Sequence, residues 1–240
     1  MSSFLSGPIQ VAAQTLHSSS ADKLHGFGEI IFSNDGRAFR YCGAGATALI
    51  AGQLQQSPAQ DTGTQNMTAV AAAVDDLSIV STTTVTVTAN EYAEGFILVA
   101  VTPGVGRLYK IKGHIAYTAA APTFNLAEGV RVALTTTSRL DAMANPFNDL
   151  VVAPTTYTSA AAGAAVHPIA IDEFGWIQVG GVANLLADGA LVVGEPVIRS
   201  NGTAGSVEPT TTTFTVQGYV GNAKSGVATT EYGAVDLKLI

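Results

Sequence analysis

The sequence predicts an all-β protein, a sandwich or barrel of short antiparallel strands preceded by an extended N-terminal arm. Three observations support this class: the apolar segments are short, Gly, Pro or Asp-Gly closes most of them, and no segment has the spacing of a long amphipathic helix. At 240 residues the chain is long enough to form a substantial core. We divide it into an arm (residues 1–27), a first β region (28–158) and a second β region (159–240), with the two β regions separate or packed as one unit.

The arm contains one proline, several serines and two histidines, and it has no sustained apolar periodicity. Such a composition is typical of a disordered chain end. The alternative is a tail that becomes ordered when it lies on a neighbouring subunit.

The stretch "GEIIFSNDGRAFRYC", residues 28–42, is predicted to form a β-hairpin, because two β-type segments flank Asp35-Gly36, a dipeptide that suits tight turns. Arginines and aromatic residues stand together after this turn, a mixture that is enriched at interface hot spots. The interface candidates are Arg37, Phe39, Arg40 and Tyr41. In the alternative interpretation, the two aromatic side chains pack inward and the two arginines are solvated.

The next strands are predicted from the alternation of apolar and polar residues and from the turns between them. In "LSIVSTTTVTVTANEY" apolar and threonine side chains alternate with period two, which indicates one strand with a wet face. "EGFILVAV" and "RLYKIKGHIAY" flank "TPGVG" and are predicted to pair as a hairpin. "TFNLAEGVRVALTTTSRLDA", broken at Gly129, is predicted to form another hairpin.

The residues that mark turns and boundaries differ in the second half of the chain. Prolines and asparagines in "NPFNDLVVAPTTYT" favour a boundary between substructures near residues 154–163. Short apolar segments continue to the C-terminus, and the only helix expected is a turn or two at residues 182–187.

Charge and cysteine content exclude several classes of function. The net charge is −7 and the eleven Lys and Arg are scattered, which argues against direct nucleic-acid binding. Cys42 is the only cysteine, so neither an intrachain disulfide nor a site of several thiolates can form. The N-terminus lacks the features of a secretory signal, and no apolar run approaches the length of a membrane span. We therefore expect synthesis in the cytoplasm and no membrane partner.

The residues that usually carry chemistry are dispersed. The four histidines lack metal-ligand spacing, and the neighbouring carboxylates Asp75-Asp76 and Asp172-Glu173 point to opposite faces if they lie on strands. No phosphate-binding glycine loop or nucleophile elbow is present. We expect no catalytic residue, no cofactor and no metal site; the alternative is a glycan hydrolase that uses Asp172 or Glu173.

Charged residues make up only 12% of the chain, about half the usual share, so uncharged residues must cover most of the surface. Such a surface favours contact with other proteins. The segments "DGRAFRY", "ANEYAEGFILV", "GRLYKIKGH", "NPFNDLVVAP", "FGWIQVGG" and "VGEPVIRSNGTAGSVEP" occur together and in this order. In this serial pattern the chain, from about Gly28 to its end, resembles head decoration or cement proteins of tailed bacteriophages and related virion proteins.

The resemblance implies a non-enzymatic protein that binds the outside of a capsid at junctions between major capsid protein subunits and stabilises the shell. It implies synthesis in the host cytoplasm, location on the capsid exterior of the virion, and a homo-oligomer, for which we expect a trimer. The alternative within virion proteins is a tail or fibre-base component.

Overall fold

The computed structural model describes residues 16–210 and 218–240. Strands account for 44% of the chain and helix for 2%, and the antiparallel sheets are curled, which confirms the predicted all-β class. The chain forms two compact units: the first combines residues up to Pro58 with Pro146–Ile240, and the second is Ala59–Asn145. The first unit is therefore built from two segments that are distant in sequence.

Eighteen strands and one short 3-10 helix, η1 (Thr62–Thr64), form in the described residues. The strands are β1 (Ile30–Phe32), β2 (Ala38–Gly43), β3 (Leu54–Gln56), β4 (Met67–Thr68), β5 (Ser78–Val80), β6 (Val85–Val87), β7 (Phe96–Val101), β8 (Leu108–Gly113), β9 (Tyr117–Ala120), β10 (Thr123–Leu126), β11 (Arg139–Met143), β12 (Val151–Val152), β13 (Ala161–Ala165), β14 (Phe174–Leu186), β15 (Pro196–Arg199), β16 (Val207–Pro209), β17 (Tyr219–Ala223) and β18 (Tyr232–Lys238).

A ten-stranded sheet forms the first unit. Eight of its strands follow the order β12-β3-β13-β14-β18-β17-β15-β16, and the other two, the β1–β2 hairpin, join through pairing of β2 with β14. The thirteen-residue strand β14 organises this sheet: its first half pairs with β2 and its second half with β18. Side chains from its inward face, including Leu185 and Trp176, pack into two of the unit's buried clusters.

The helical turn predicted at residues 182–187 is wrong, because residues up to Leu186 belong to β14. In this part of the strand Val182 and Asn184 are exposed, whereas Ala183 and Leu185 are buried. This is the period of two that a strand requires. Residues Gly180 to Leu186 pair with β18 in a continuous antiparallel register.

The second unit contains a six-stranded antiparallel sheet in the order β4-β11-β7-β8-β10-β5. The chain joins the two ends of this sheet just after β4 and β5, where the Val70 N–H donates to the Val80 carbonyl at 2.8 Å and Ala69 pairs with Ser81. The sheet thus curls around a core that includes Tyr109. A separate two-stranded ribbon, β6–β9, completes the unit.

Local predictions for this unit are partly correct. Strands β7 and β8 pair as the predicted hairpin, and β8 buries Tyr109 and Ile111 on alternate positions. The predicted strand at residues 77–92 is instead two strands, β5 and β6, in different sheets. The hairpin predicted across Gly129 does not form: β10 pairs with β5 and β8, whereas β11 pairs with β4 and β7.

The structure divides the chain at different places from the predicted boundary between residues 28–158 and 159–240. Strands β12 and β13 lie on opposite sides of that boundary, yet both pair with β3. The connection between β12 and β13, which contains Pro154, is therefore a loop within the first unit. The two compact units are bounded at residues 58–59 and 145–146, where the chain leaves this sheet and returns to it.

Candidate interaction surface

The predicted hairpin forms as β1 and β2, with Ile31 opposite Phe39. The Gly36 N–H donates to the Ser33 carbonyl at 3.0 Å, and Gly36 has a φ of 83°, a value that favours glycine. Asp35 accepts hydrogen bonds from the Ser33 hydroxyl and from Nε of Arg37, the latter at 2.7 Å. The bond from Ser33, followed by those from Arg37, lowers the pKa of Asp35. These hydrogen bonds stabilise the tight turn, and the hairpin forms where the sequence predicts it.

Both aromatic candidates lie in the core. Phe39 is fully buried and Tyr41 nearly so, and they share a cluster with Ile31 and Trp176. The Tyr41 hydroxyl accepts a hydrogen bond from the Leu24 N–H at 2.9 Å, and burial raises the pKa of Tyr41. The inward-packing interpretation therefore describes Phe39 and Tyr41.

The two arginines have different environments. Nη1 of Arg40 donates to the Gly28 carbonyl at 2.7 Å, and its guanidinium lies 5.2 Å from the ring centre of Phe147. The Arg37 guanidinium pairs with Asp35 and lies 5.3 Å from the ring centre of Phe39. The Arg37 side chain is 30% exposed and lines a groove. Arg37 therefore faces an open groove, and Arg40 secures the start of the hairpin.

The groove beside Arg37 has a volume of about 580 Å³ and lies on the outward side of the β14–β18 ladder. Two large side chains stand exposed along it, Val182 at 50% and Tyr232 at 46%. Small residues separate these side chains. The lining consists of Arg37, Ala51, Gly52, Ala165, Val166, Gln178, Val182, Ala183, Asn184, Tyr232 and Ala234.

Gln178 contributes a buried polar group to this groove. Its Nε2 donates to the carbonyls of Gly180 and Val182, at 3.0 and 2.9 Å, while its Oε1 has no hydrogen-bond partner among the described residues. The register of β14 against β2 shifts between Gln178 and Gly180, which is typical of a β-bulge, and Gly181 has a φ of 76°. Gln178 is not among the site residues predicted from the sequence. The only sequence signal for an irregularity beside it is the glycine pair Gly180-Gly181 inside an apolar strand.

The chemistry of this lining suits binding. It offers one cation, two amides and a phenol, and the lining residues include no carboxylate, histidine or thiol. Burying a carbonyl such as Gln178 Oε1 without a hydrogen-bond partner costs about 1–3 kcal/mol.

The carboxylate pairs lie in turns. Asp172 has a φ of 59°, and Glu173 Oε2 accepts a hydrogen bond from the Ser19 hydroxyl. Asp75 has a φ of 71°, and Asp76 accepts the Ala73 N–H at 2.6 Å. None of the four lines the groove. Within residues 16–210 and 218–240, no group of three or more His, Cys, Asp or Glu is arranged to hold a metal ion.

The described part of the predicted arm packs on its own chain. Ser20 and Phe174 exchange two backbone hydrogen bonds, of 3.0 and 2.8 Å, and the His25 ring lies 5.1 Å from that of Trp176. Leu16 is buried beside the hairpin core. Residues 16–27 are therefore part of the first unit, and the remainder of the predicted arm lies outside the described residues.

Cys42 is buried and surrounded by apolar residues, as expected for a small core side chain. Burial raises the pKa of its thiol far above the ordinary range. No helix in the described portion of the chain has the length and hydropathy needed to cross a membrane. No protein-family model, curated protein or solved structure matches the chain.

Proposed function

We propose that the protein is a non-enzymatic virion structural protein that binds the outer surface of a phage capsid. It would stabilise the shell at junctions between major capsid protein subunits. The observation that carries this proposal is the groove beside Arg37, which is lined by exposed apolar and aromatic side chains, one cation and the amide residues Gln178 and Asn184. Interfaces combine such apolar and aromatic anchors with few charges at their centre.

A second feature supports association with protein. Val192 and Val193, exposed at 61% and 63%, occupy a turn in which the Glu195 N–H donates to the Val192 carbonyl at 3.1 Å. Gly194 has the φ of 90° that such a turn needs. Turns normally present polar residues, so two adjacent exposed valines are unusual there. When small contacts such as those of two valine side chains are repeated over a symmetric shell, multivalency increases the overall strength of binding.

The test uses the full-length protein and undecorated capsids of the phage whose genome encodes it. Co-sedimentation and electron cryo-microscopy should find the protein outside the shell at symmetry-related junctions. Density confined to the tail would replace this proposal with a tail component, and absence of binding would refute it.

The matched variants are Arg37→Ala and Arg131→Ala. Arg37 lines the groove, so its loss should weaken binding by about threefold to tenfold, the size expected for one partly exposed interface side chain. Arg131 is an exposed arginine of the second unit and should not affect binding. Arg40→Ala is less informative, because it also removes the hydrogen bond to Gly28.

A further inference from the structure

The largest fully buried side chain of the described chain belongs to Arg199, in β15. Its guanidinium donates to Oε1 of Gln56 at 2.7 Å, to the Thr156 carbonyl at 3.0 Å and to the Ser159 carbonyl at 3.2 Å. Nε and Nη2 both donate to the Pro154 carbonyl, the former at 3.1 Å. All of these acceptors are neutral. A buried cation without a carboxylate partner is expensive, so its hydrogen bonds must perform a structural task.

That task is to fix one loop. Three of the four acceptors are carbonyls of residues 154–159, the connection between β12 and β13. The Gln56 side chain holds the same loop from a second direction, because its Nε2 donates to the Thr158 hydroxyl at 2.8 Å. The loop is thus pinned along its whole length, unlike a connection held only at its ends.

The outward side of this fixed loop carries an aromatic anchor. The Tyr157 ring stacks over the guanidinium, with 4.9 Å between Cζ of Arg199 and the ring centre, yet Tyr157 is 41% exposed. Its neighbours Thr155, Thr156 and Thr158 are exposed as well. A rigid tyrosine among small hydroxyl side chains is the composition that recognition loops use, since little side-chain entropy is lost on binding.

We infer that the loop of residues 154–160 is a preorganised protein-docking surface, with Tyr157 as its anchor, Arg199 as a positioning residue and the major capsid protein as its partner. This inference rests on the proposed function. The loop contains no acidic side chain, and among residues 16–210 and 218–240 the groups that accept hydrogen bonds from the Arg199 cation beneath it are all uncharged. The complementary surface is therefore neutral to acidic, presenting carbonyl or carboxylate oxygens near the Tyr157 hydroxyl and ring edge.

The test compares full-length variants in the capsid co-sedimentation assay. Tyr157→Ala removes the anchor and should weaken binding by about tenfold to thirtyfold, as expected for a hot-spot tyrosine. Tyr157→Phe keeps the ring and should bind within about threefold of the parent. Ile115→Ala changes an exposed side chain of the second unit and should leave binding unaltered.

A double-mutant cycle tests the role of Arg199. If Arg199→Lys acts by misplacing Tyr157, it should weaken binding in the parent but add little to Tyr157→Ala. General destabilisation would instead weaken both backgrounds by the same factor, and would refute the positioning role. Unaltered binding of Tyr157→Ala, while the parent binds, would overturn the docking surface and leave the capsid function intact. A parent that does not bind capsids would overturn both.

Discussion

Replacing Arg199 by methionine should destabilise the first unit by about 3–5 kcal/mol. The guanidinium serves four neutral acceptors, and hydrogen bonds to a charged group contribute about 1.5–3 kcal/mol each. Thr156 is exposed, so water can replace the guanidinium at its carbonyl, but Gln56 is buried and Pro154 and Ser159 are half-buried. Two buried acceptors left without a hydrogen-bond donor already account for a loss of about 3 kcal/mol in the free energy of unfolding.

A hydrophobic residue can replace a buried ion pair at little cost when both partners are replaced together. That compensation is unavailable here, because the acceptors are mainly backbone carbonyls, which no substitution removes. Methionine restores part of the buried apolar volume and none of the hydrogen bonds.

Urea unfolding followed by tryptophan fluorescence measures the effect in the correct unit. Trp176 is the only tryptophan of the chain, and it is buried in the first unit. Arg37→Met is the matched control: it removes a partly exposed arginine paired with Asp35, and should change the free energy of unfolding by no more than about 1 kcal/mol. If Arg199→Met unfolds within the range of this control, the guanidinium does not hold the loop and the reasoning fails.

Three further predictions concern single residues. Gly221→Ala should destabilise the first unit by several kcal/mol, since an added Cβ would lie 2.1 Å from the Asp236 carbonyl oxygen; Gly226→Ala, with only one atom near its Cβ, is the control, and equal unfolding midpoints would contradict the packing argument. Cys42 should react with a thiol reagent only after unfolding, because burial raises the pKa of its thiol; rapid labelling of the folded protein at pH 8 would be inconsistent with this. Burial raises the pKa of Glu208 above 4.5, so its contribution to stability is greatest below that pH and is lost as the pH rises through the folded pKa; Glu208→Gln should therefore raise the urea midpoint at pH 7 but not at pH 4, and a lower midpoint at pH 7 would disprove the sign.

The fold class and several local features can be predicted from the amino-acid sequence alone. Alternation of apolar and polar residues identifies which side chains face inward, as at Tyr109 and Ile111, because successive side chains of a strand point to opposite faces. The Asp35-Gly36 turn can also be predicted from the sequence, because its geometry depends on neighbouring residues alone.

Strand pairing and the burial of particular polar groups depend on contacts between distant parts of the chain, so they become visible only in the folded structure. Alternation gives each strand two faces but does not name its neighbours, so the pairing of β3 with β12 and β13, about a hundred residues away, was not predictable. Among the four predicted interface residues, the same alternation could not distinguish Arg37 at the groove from Arg40 against Phe147. In the sequence around them, Gln178 and Arg199 look like ordinary strand residues. Their roles arise from the bulge and the loop that the fold brings to them, because a buried polar side chain is defined by the distant groups around it.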